Sequence, residues 1–342
     1  MGRKQREIYS GQVYEICLRT RQGLPFTCRK YMKMLLLSVM ARVQRDQKVT
    51  LCHYLWMANH IHMVVISKDR EECTKFYGEI QKQLTDAVKR LLGLRHLTLW
   101  INNSASVIPL YDVETACYRI AYIYSNPAAA NLVEKISDYP GLSSWREFRA
   151  GGETPSALDA TFITDCPWVR APYIEPLLHL NIDRQQDLQL CNEWEESAQD
   201  SHELVVEPNA WMECFHIESE EEIQETNRQI VKFHTGLEGE AQRKRREKKR
   251  KVMGKKQLIA QPLNMQYVPT KKSRRIAVYS LDPALRKYLI QKYDEFCSKC
   301  RECYERWKIG DLAVKWPIGA FLPRIPTLRN DFPLDIGATA YS

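Results

Sequence analysis

The sequence predicts an α+β fold: an antiparallel sheet with helices on one face, followed by a mostly helical or irregular C-terminal region. Three observations predict it. Short runs of β-branched and aromatic residues alternate with longer runs of helical period up to residue 126. Two strand-like runs are separated only by Ala58-Asn59, a break that suits an antiparallel pair and not a parallel crossover. Beyond residue 150 the periodicity gives way to blocks of like charge.

The elements follow in order. Residues 12–20 (QVYEICLRT) read as a strand. Residues 27–46 read as a helix, because Tyr31, Leu35, Val39 and Val43 recur at every fourth position. Residues 48–57 and 60–67 are the second and third strands. A second helix over about 70–92 places Phe76, Ile80, Leu84, Val88 and Leu91 on one face. Residues 97–110 are strand-like with an interruption at Asn102-Asn103-Ser104. A third helix over about 112–126 is expected to end near Pro127, whose ring and missing N–H oppose helix continuation. The order strand, helix, strand, strand, helix, strand, helix suggests a ferredoxin-like arrangement.

The remainder changes character. The expected division is a folded unit over 1–149, a charged linker region over 150–275, and a helix with a Pro- and aromatic-rich tail over 276–342. Residues 183–225 hold fourteen Asp or Glu and a single Arg, whereas 243–256 hold ten Lys or Arg and a single Glu. The acidic stretch reads as a solvated surface, or as an internal competitor folded over the basic site. Lys271, Lys272, Arg274 and Arg275 extend the basic run. Asp282-Pro283 is a helix start, with Asp as N-cap and Pro in the first turn.

Composition excludes some classes. Hydrophobic residues make up 44% of the chain, enough to form a core, which excludes a wholly disordered protein. The longest apolar stretch, around Met34–Met40, is too short to span a bilayer. Eleven cysteines show no disulfide framework, and the N-terminus has no apolar signal segment. The expectation is a reduced cytoplasmic protein without a membrane partner. A net charge of +8 hints at a polyanion. The run Arg243, Lys244, Arg245, Arg246, Lys248, Lys249, Arg250 and Lys251 reads either as a solvated segment or helix, or as a contact to a DNA backbone.

Chemistry concentrates at two places. Residues i and i+2 of a strand share a face, so His60 and His62 present two imidazoles side by side, with Ile61 turned to the core. Two neutral imidazoles can share one divalent cation. On the third helix, Val113, Cys117, Ile120 and Tyr124 form an apolar stripe. Tyr122 and Asn126 fall on the opposite face, at about 180° and 220° from Val113. That face offers a phenol and an amide oxygen one turn apart. Tyr118 lies on the same side and rivals Tyr122. Cys297, Cys300 and Cys303 point in different directions over an arc of about 120° on a continuous helix, which opposes a shared metal.

These residues carry a family resemblance. Met57-Ala58-Asn59-His60-Ile61-His62, then Tyr122-Ile123-Tyr124-Ser125-Asn126-Pro127, then Asn131-Leu132-Val133 and Asp138-Tyr139-Pro140 resemble, in order, the motifs of the single-tyrosine HUH transposases, closest to the REP-associated group. The likeness spans roughly residues 8–148. It implies the HUH endonuclease fold, His60, His62 and Asn126 as ligands of Mg²⁺ or Mn²⁺, and Tyr122 as the nucleophile. It also implies single-stranded or hairpin DNA as the substrate, in a bacterial cytoplasm, with a homodimer left open. The implied reaction is transesterification through a 5′-phosphotyrosine. A hairpin-binding protein that no longer cuts, and an HUH replication initiator or relaxase, are the alternatives. Three positions depart from the family pattern: Ala58 replaces a Pro, Glu15 a His, and Asn131 a Gly.

Overall fold

Side-chain alternation along the strands decides what each face of the sheet meets. A computed structural model describes residues 8–21, 28–57, 59–101, 105–171, 184–261, 276–320 and 323. Strands β1 (Gln12–Arg19), β2 (Thr50–Trp56), β3 (His60–Ser67) and β4 (Ser106–Pro109) form one sheet in the order β2-β3-β1-β4, with every neighbouring pair antiparallel. Helix α1 (Lys30–Gln47) joins β1 to β2, and α2 (Arg70–Leu91) joins β3 to β4. Tyr14, Ile16 and Leu18 of β1 and Ile61, Met63 and Val65 of β3 are buried with Leu35, Val39, Phe76, Ile80 and Leu84 of these helices. The other face, with Val13 and Val64, packs on α3 (Val113–Ala129) through Ala116, Cys117, Ile120 and Tyr124.

The expectation of helices on one face is therefore corrected: helices cover both faces of this antiparallel sheet. The physical reason is in the strands. β1 reads VYEICL and β3 reads IHMVV, and both are buried on both faces, so neither face can be left to water.

A bulge sets the parity of β2. Leu51 pairs with Val65 and His53 with Val64, so Cys52 is the extra residue and His53 turns toward α3. There His53 Nδ1 and the Tyr124 hydroxyl share a hydrogen bond of 2.8 Å. Burial lowers the His53 pKa from its ordinary value to about 3, although a backbone bond at Pro208 opposes the shift. Folding thus holds the ring neutral where the unfolded chain would protonate it. The resulting stability is complete above pH 6.5 and is lost as pH falls toward 3. Between pH 7 and 4.5 the loss is about 2–3 kcal/mol. Urea midpoints should drop over that range, and His53→Gln should make the drop shallower, with His60, whose pKa is also depressed, contributing to what remains; an equally steep drop in the variant would exclude His53 as a source.

Pro127 does not end α3, contrary to the reading of residues 112–126. The helix runs to Ala129 with the proline inside it. Proline deprives the carbonyl of Ile123 of its usual donor. Asn126 Nδ2 donates to that carbonyl at 3.2 Å and to Tyr122 O at 3.0 Å, while Ser125 Oγ donates to Tyr122 O at 2.9 Å. Side chains replace the backbone bond. Asn131 then adopts φ 57°, a left-handed conformation that Asn tolerates far better than most residues. This explains how an Asn can stand where the resembled family has Gly.

The region between 150 and 275 adds elements to both sides. After α4 (Trp145–Phe148), β5 (Phe162–Pro167) pairs with β6 (Ser201–Val206) in a two-stranded ribbon, with α5 (Arg184–Ser197) between them. The side-chain amide of Gln44 in α1 meets the backbone of Val205 twice, at 2.8 and 2.9 Å, as a neighbouring strand would. Helix α6 (Glu220–Glu247) packs along α3, followed by α7 (Gly254–Ala260). Its first turn carries Glu220–Glu222 and its last Lys244–Arg246, so the switch from acidic to basic residues complements the helix dipole. The acidic residues of α5 and β6 lie beside α1, across the sheet from α3, not over the basic run. Helix α8 (Pro283–Lys308) starts as expected, with Asp282 accepting from Ala284 N at 2.8 Å. No helix among the described residues is long and apolar enough to cross a membrane. The break at 102–104, Ala58, the basic residues 271–275 and most of the tail beyond 320 lie outside the described residues.

Candidate phosphoryl-transfer site

β3 brings His60 and His62 to the α3 face, with ring centroids 5.0 Å apart. Ile61 between them is fully buried on the opposite face. His60 is half-buried and His62 is buried. Burial, then the proximity of His62 and Arg19, holds the His60 pKa well below its ordinary value, so this imidazole is neutral at physiological pH.

Each ring has one nitrogen engaged by an oxygen. His62 Nδ1 lies 2.9 Å from Glu15 Oε1, and His60 Nδ1 lies 2.7 Å from Asn59 Oδ1. A carboxylate can only accept, so His62 Nδ1 carries a proton, and in the neutral ring the lone pair is on Nε2. The same assignment follows for His60 with the Asn59 amide oxygen as acceptor. In both rings Nδ1 is anchored and Nε2 takes no part in these bonds, an arrangement suited to binding a metal through Nε2.

Glu15 comes from β1, where Cys17 is paired with His62 and Arg19 with His60. It is buried and receives two charge-assisted bonds from Arg119 of α3, Nε to Oε2 at 2.5 Å and Nη2 to Oε1 at 2.7 Å. Burial pushes its pKa up, but Arg119 and His62 outweigh burial and hold it at about 2. Burial likewise opposes the charge on Arg119, and Glu15 reverses this and raises its pKa. Glu15, Arg119 and His62 thus form one buried polar network.

Tyr122 stands beside that network. Its ring lies 6.3 Å from the His62 ring, edge to face, and the Arg119 guanidinium sits 4.4 Å from its centroid. Burial raises the Tyr122 pKa and the guanidinium opposes the shift. Tyr118 turns elsewhere: its ring meets Phe233 of α6 and stacks with Tyr279. Tyr124 is buried in the core, on the stripe where periodicity put it. Asn126 lies one turn beyond Tyr122, half-buried, with its Nδ2 bound to the helix and Oδ1 as the atom suited to a metal.

Among the described residues, no group of three or more His, Cys, Asp or Glu side chains is arranged to hold a metal ion. Cys297, Cys300 and Cys303 form no such group, and Cys303 Sγ bonds to Lys315 O instead.

Reading the sequence missed Glu15, Arg119 and Tyr279. Glu15 had a signal, a lone carboxylate inside the apolar run Tyr14–Leu18. Arg119 had one too, since it falls near 240° on the helical wheel, beside Tyr122 and Asn126. Tyr279 had none. It reaches the site from far along the chain, 4.8 Å from the Arg119 guanidinium.

The basic run divides. Arg243, Lys244, Arg246, Lys248, Lys249, Arg250 and Lys251 are exposed, near the C-terminal end of α3 where Met253 N bonds to Asn131 O. Arg245 is buried, bonded to Ala128 O at 2.9 Å and to Glu134 at 2.6 Å, so it holds α6 to α3 and is removed from the exposed set. Arg245→Ala should cost about 1–3 kcal/mol in urea unfolding. Alanine at Lys248, Lys249, Arg250 and Lys251 together should leave the urea midpoint nearly unchanged, and a cost similar to that of Arg245→Ala would contradict this division.

No protein-family model matches this chain, and no curated protein matches it. A solved structure of a REP-associated tyrosine transposase bound to a REP hairpin is similar to it, with 21% sequence identity over 44% of this chain and 87% of that chain, at a TM-score of 0.38.

Proposed function

We propose that this chain is a metal-dependent single-strand DNA endonuclease and strand transferase of the single-tyrosine HUH type, acting at or near DNA hairpins. The observation that carries the reading is the pair of anchored imidazoles, each with Nε2 free, beside the ring of Tyr122. The ordered motifs around His60, Tyr122 and Asn126 supply the substrate class.

His60, His62 and Asn126 are the residues that would hold the divalent ion, Mg²⁺ or Mn²⁺. Such an ion supplies Lewis-acid stabilisation of the charge that builds on a phosphodiester under attack. Tyr122 Oη attacks the phosphorus, the bond to the 3′ oxygen breaks, and the phenolic proton passes to solvent. The products are a 5′-phosphotyrosine and a free 3′-hydroxyl that takes up a proton. Attack by a second 3′-hydroxyl reverses the step, joining strands and returning the phenol. Arg119 favours the phenolate by placing positive charge over the ring. Glu15 is committed to Arg119 and His62, and its low pKa makes it a poor proton acceptor.

The test is incubation with a single-stranded hairpin oligonucleotide in Mn²⁺, Mg²⁺ or EDTA, followed by denaturing electrophoresis. The expected result is a covalent protein–DNA species with either metal and none in EDTA. Cleavage without any covalent species would point to water as the nucleophile and defeat the tyrosine reading.

A further inference from the structure

A second charged feature lies on the opposite face of the sheet. Between α1, α2 and the segment after β5 there is a cleft of about 880 Å³. Its cations are Arg42, Arg45, Lys89, Arg90, Arg95 and Arg170, and its carboxylates are Asp46 and Asp86. Asp46 pairs with Arg45 and Asp86 with Lys89, at 2.8 and 3.0 Å. The other four arginines form no ion pair among the described residues, although Asp46 also acts on Arg42 through its charge. Arg90 donates to Ala171 O at 2.5 Å, which ties the segment to α2. Arg42 Nε is shut off from solvent and has no hydrogen-bond partner among the described residues. Its guanidinium lies 5.6 Å from the ring of Trp168, a tryptophan left 48% exposed.

A half-exposed indole beside four arginines that form no ion pair lacks the features of a packed core. Excess positive charge attracts a polyanion, and the exposed part of the indole, which also meets the His202 ring at a centroid distance of 5.9 Å, can accept a further planar ring. An acidic polypeptide would satisfy the charge but not the exposed indole. A nucleic-acid duplex hides its bases from stacking. We infer that this cleft binds single-stranded DNA through its phosphates and through one base stacked on Trp168, distant from the His60–His62 site. The choice of DNA as the polymer rests on the proposed function; the cleft's chemistry does not. The histidines face α3, which carries Tyr122, whereas α1 and α2 lie beneath the other face of the sheet, so a strand bound here is a flanking segment and not the scissile one.

The test is fluorescence anisotropy of a labelled oligothymidylate about thirty nucleotides long. It is titrated with the full chain in EDTA, so that no cleavage occurs, over a salt series. Arg95→Glu with Arg170→Glu, both at exposed positions, should weaken binding at least about tenfold and reduce the salt slope by roughly 0.7 for each phosphate that is no longer neutralised. Trp168→Ala should weaken binding about fivefold or more with the slope unchanged, since it removes stacking and not charge. Unchanged affinity and slope in the arginine variant would overturn the inference. So would equal binding of a duplex, or displacement of the oligonucleotide by polyglutamate at equal charge, each of which assigns the cleft to another partner. Adduct formation on a short hairpin is measured on the same proteins. Wild-type protein that forms no adduct, while the cleft variants still bind the oligonucleotide more weakly, defeats the catalytic reading and leaves the cleft standing.

Discussion

Tyr122→Phe should abolish the covalent protein–DNA species, by at least about a thousandfold, and leave the fold intact. The substitution removes one oxygen. Phenylalanine keeps the ring against His62 and under the Arg119 guanidinium, so the packing around α3 persists. Thermal unfolding should therefore be nearly unchanged. Tyr118→Phe is the matched control, because that ring meets Phe233 and Tyr279 instead. Adduct that survives in Tyr122→Phe and disappears in Tyr118→Phe would transfer the nucleophile's role to Tyr118.

Glu15→Gln should have the second largest effect, on metal affinity and stability together. Glu15 accepts from His62 Nδ1 and from two nitrogens of Arg119. Gln is the same size but neutral, and half of its amide is a donor. It leaves Arg119 as a buried cation without its counter-charge, which costs about 3–5 kcal/mol when one partner of a buried pair is removed. It also loosens the tautomer of His62, and losing such an outer-shell acceptor typically weakens metal binding roughly 10- to 100-fold. Isothermal titration with Mn²⁺ measures the affinity and urea unfolding the stability. The double variant Glu15→Gln with Arg119→Met should recover much of the stability but not the Mn²⁺ affinity, because it removes the stranded cation without restoring the acceptor. Recovery of both would show that Glu15 acts only through packing.

Much of the fold was legible in the sequence because it rests on local periodicity. The third strand was read at 60–67 and spans His60–Ser67, since Gly, Pro and polar breaks are absent within it and a turn precedes it. Asp282-Pro283 marked the start of α8 through backbone chemistry that needs no distant partner. The pairing of His60 with His62 followed from the two-residue repeat of a strand, and the shared face of Tyr122 and Asn126 from the pitch of a helix. Only these local repeats could be counted from a single chain. The same counting erred at Pro127, because it did not include the Asn126 amide as the replacement donor to Ile123.

What the sequence by itself determined was the set of chemical groups and the faces of the elements that present them: two imidazoles on a strand, a phenol and an amide on a helix. What only the tertiary structure decided was how those faces meet. The strand register opposes Cys17 to His62 and Arg19 to His60, and so brings Glu15 beside His62. Packing of α3 on the same face carries Arg119 to Glu15 and Tyr122 to His62. The division of the basic run, with Arg245 buried and its neighbours exposed, depends on the α3–α6 contact. The reason is physical: periodicity sets direction within one element, whereas burial, counter-charge and hydrogen-bond partners come from residues a hundred positions away.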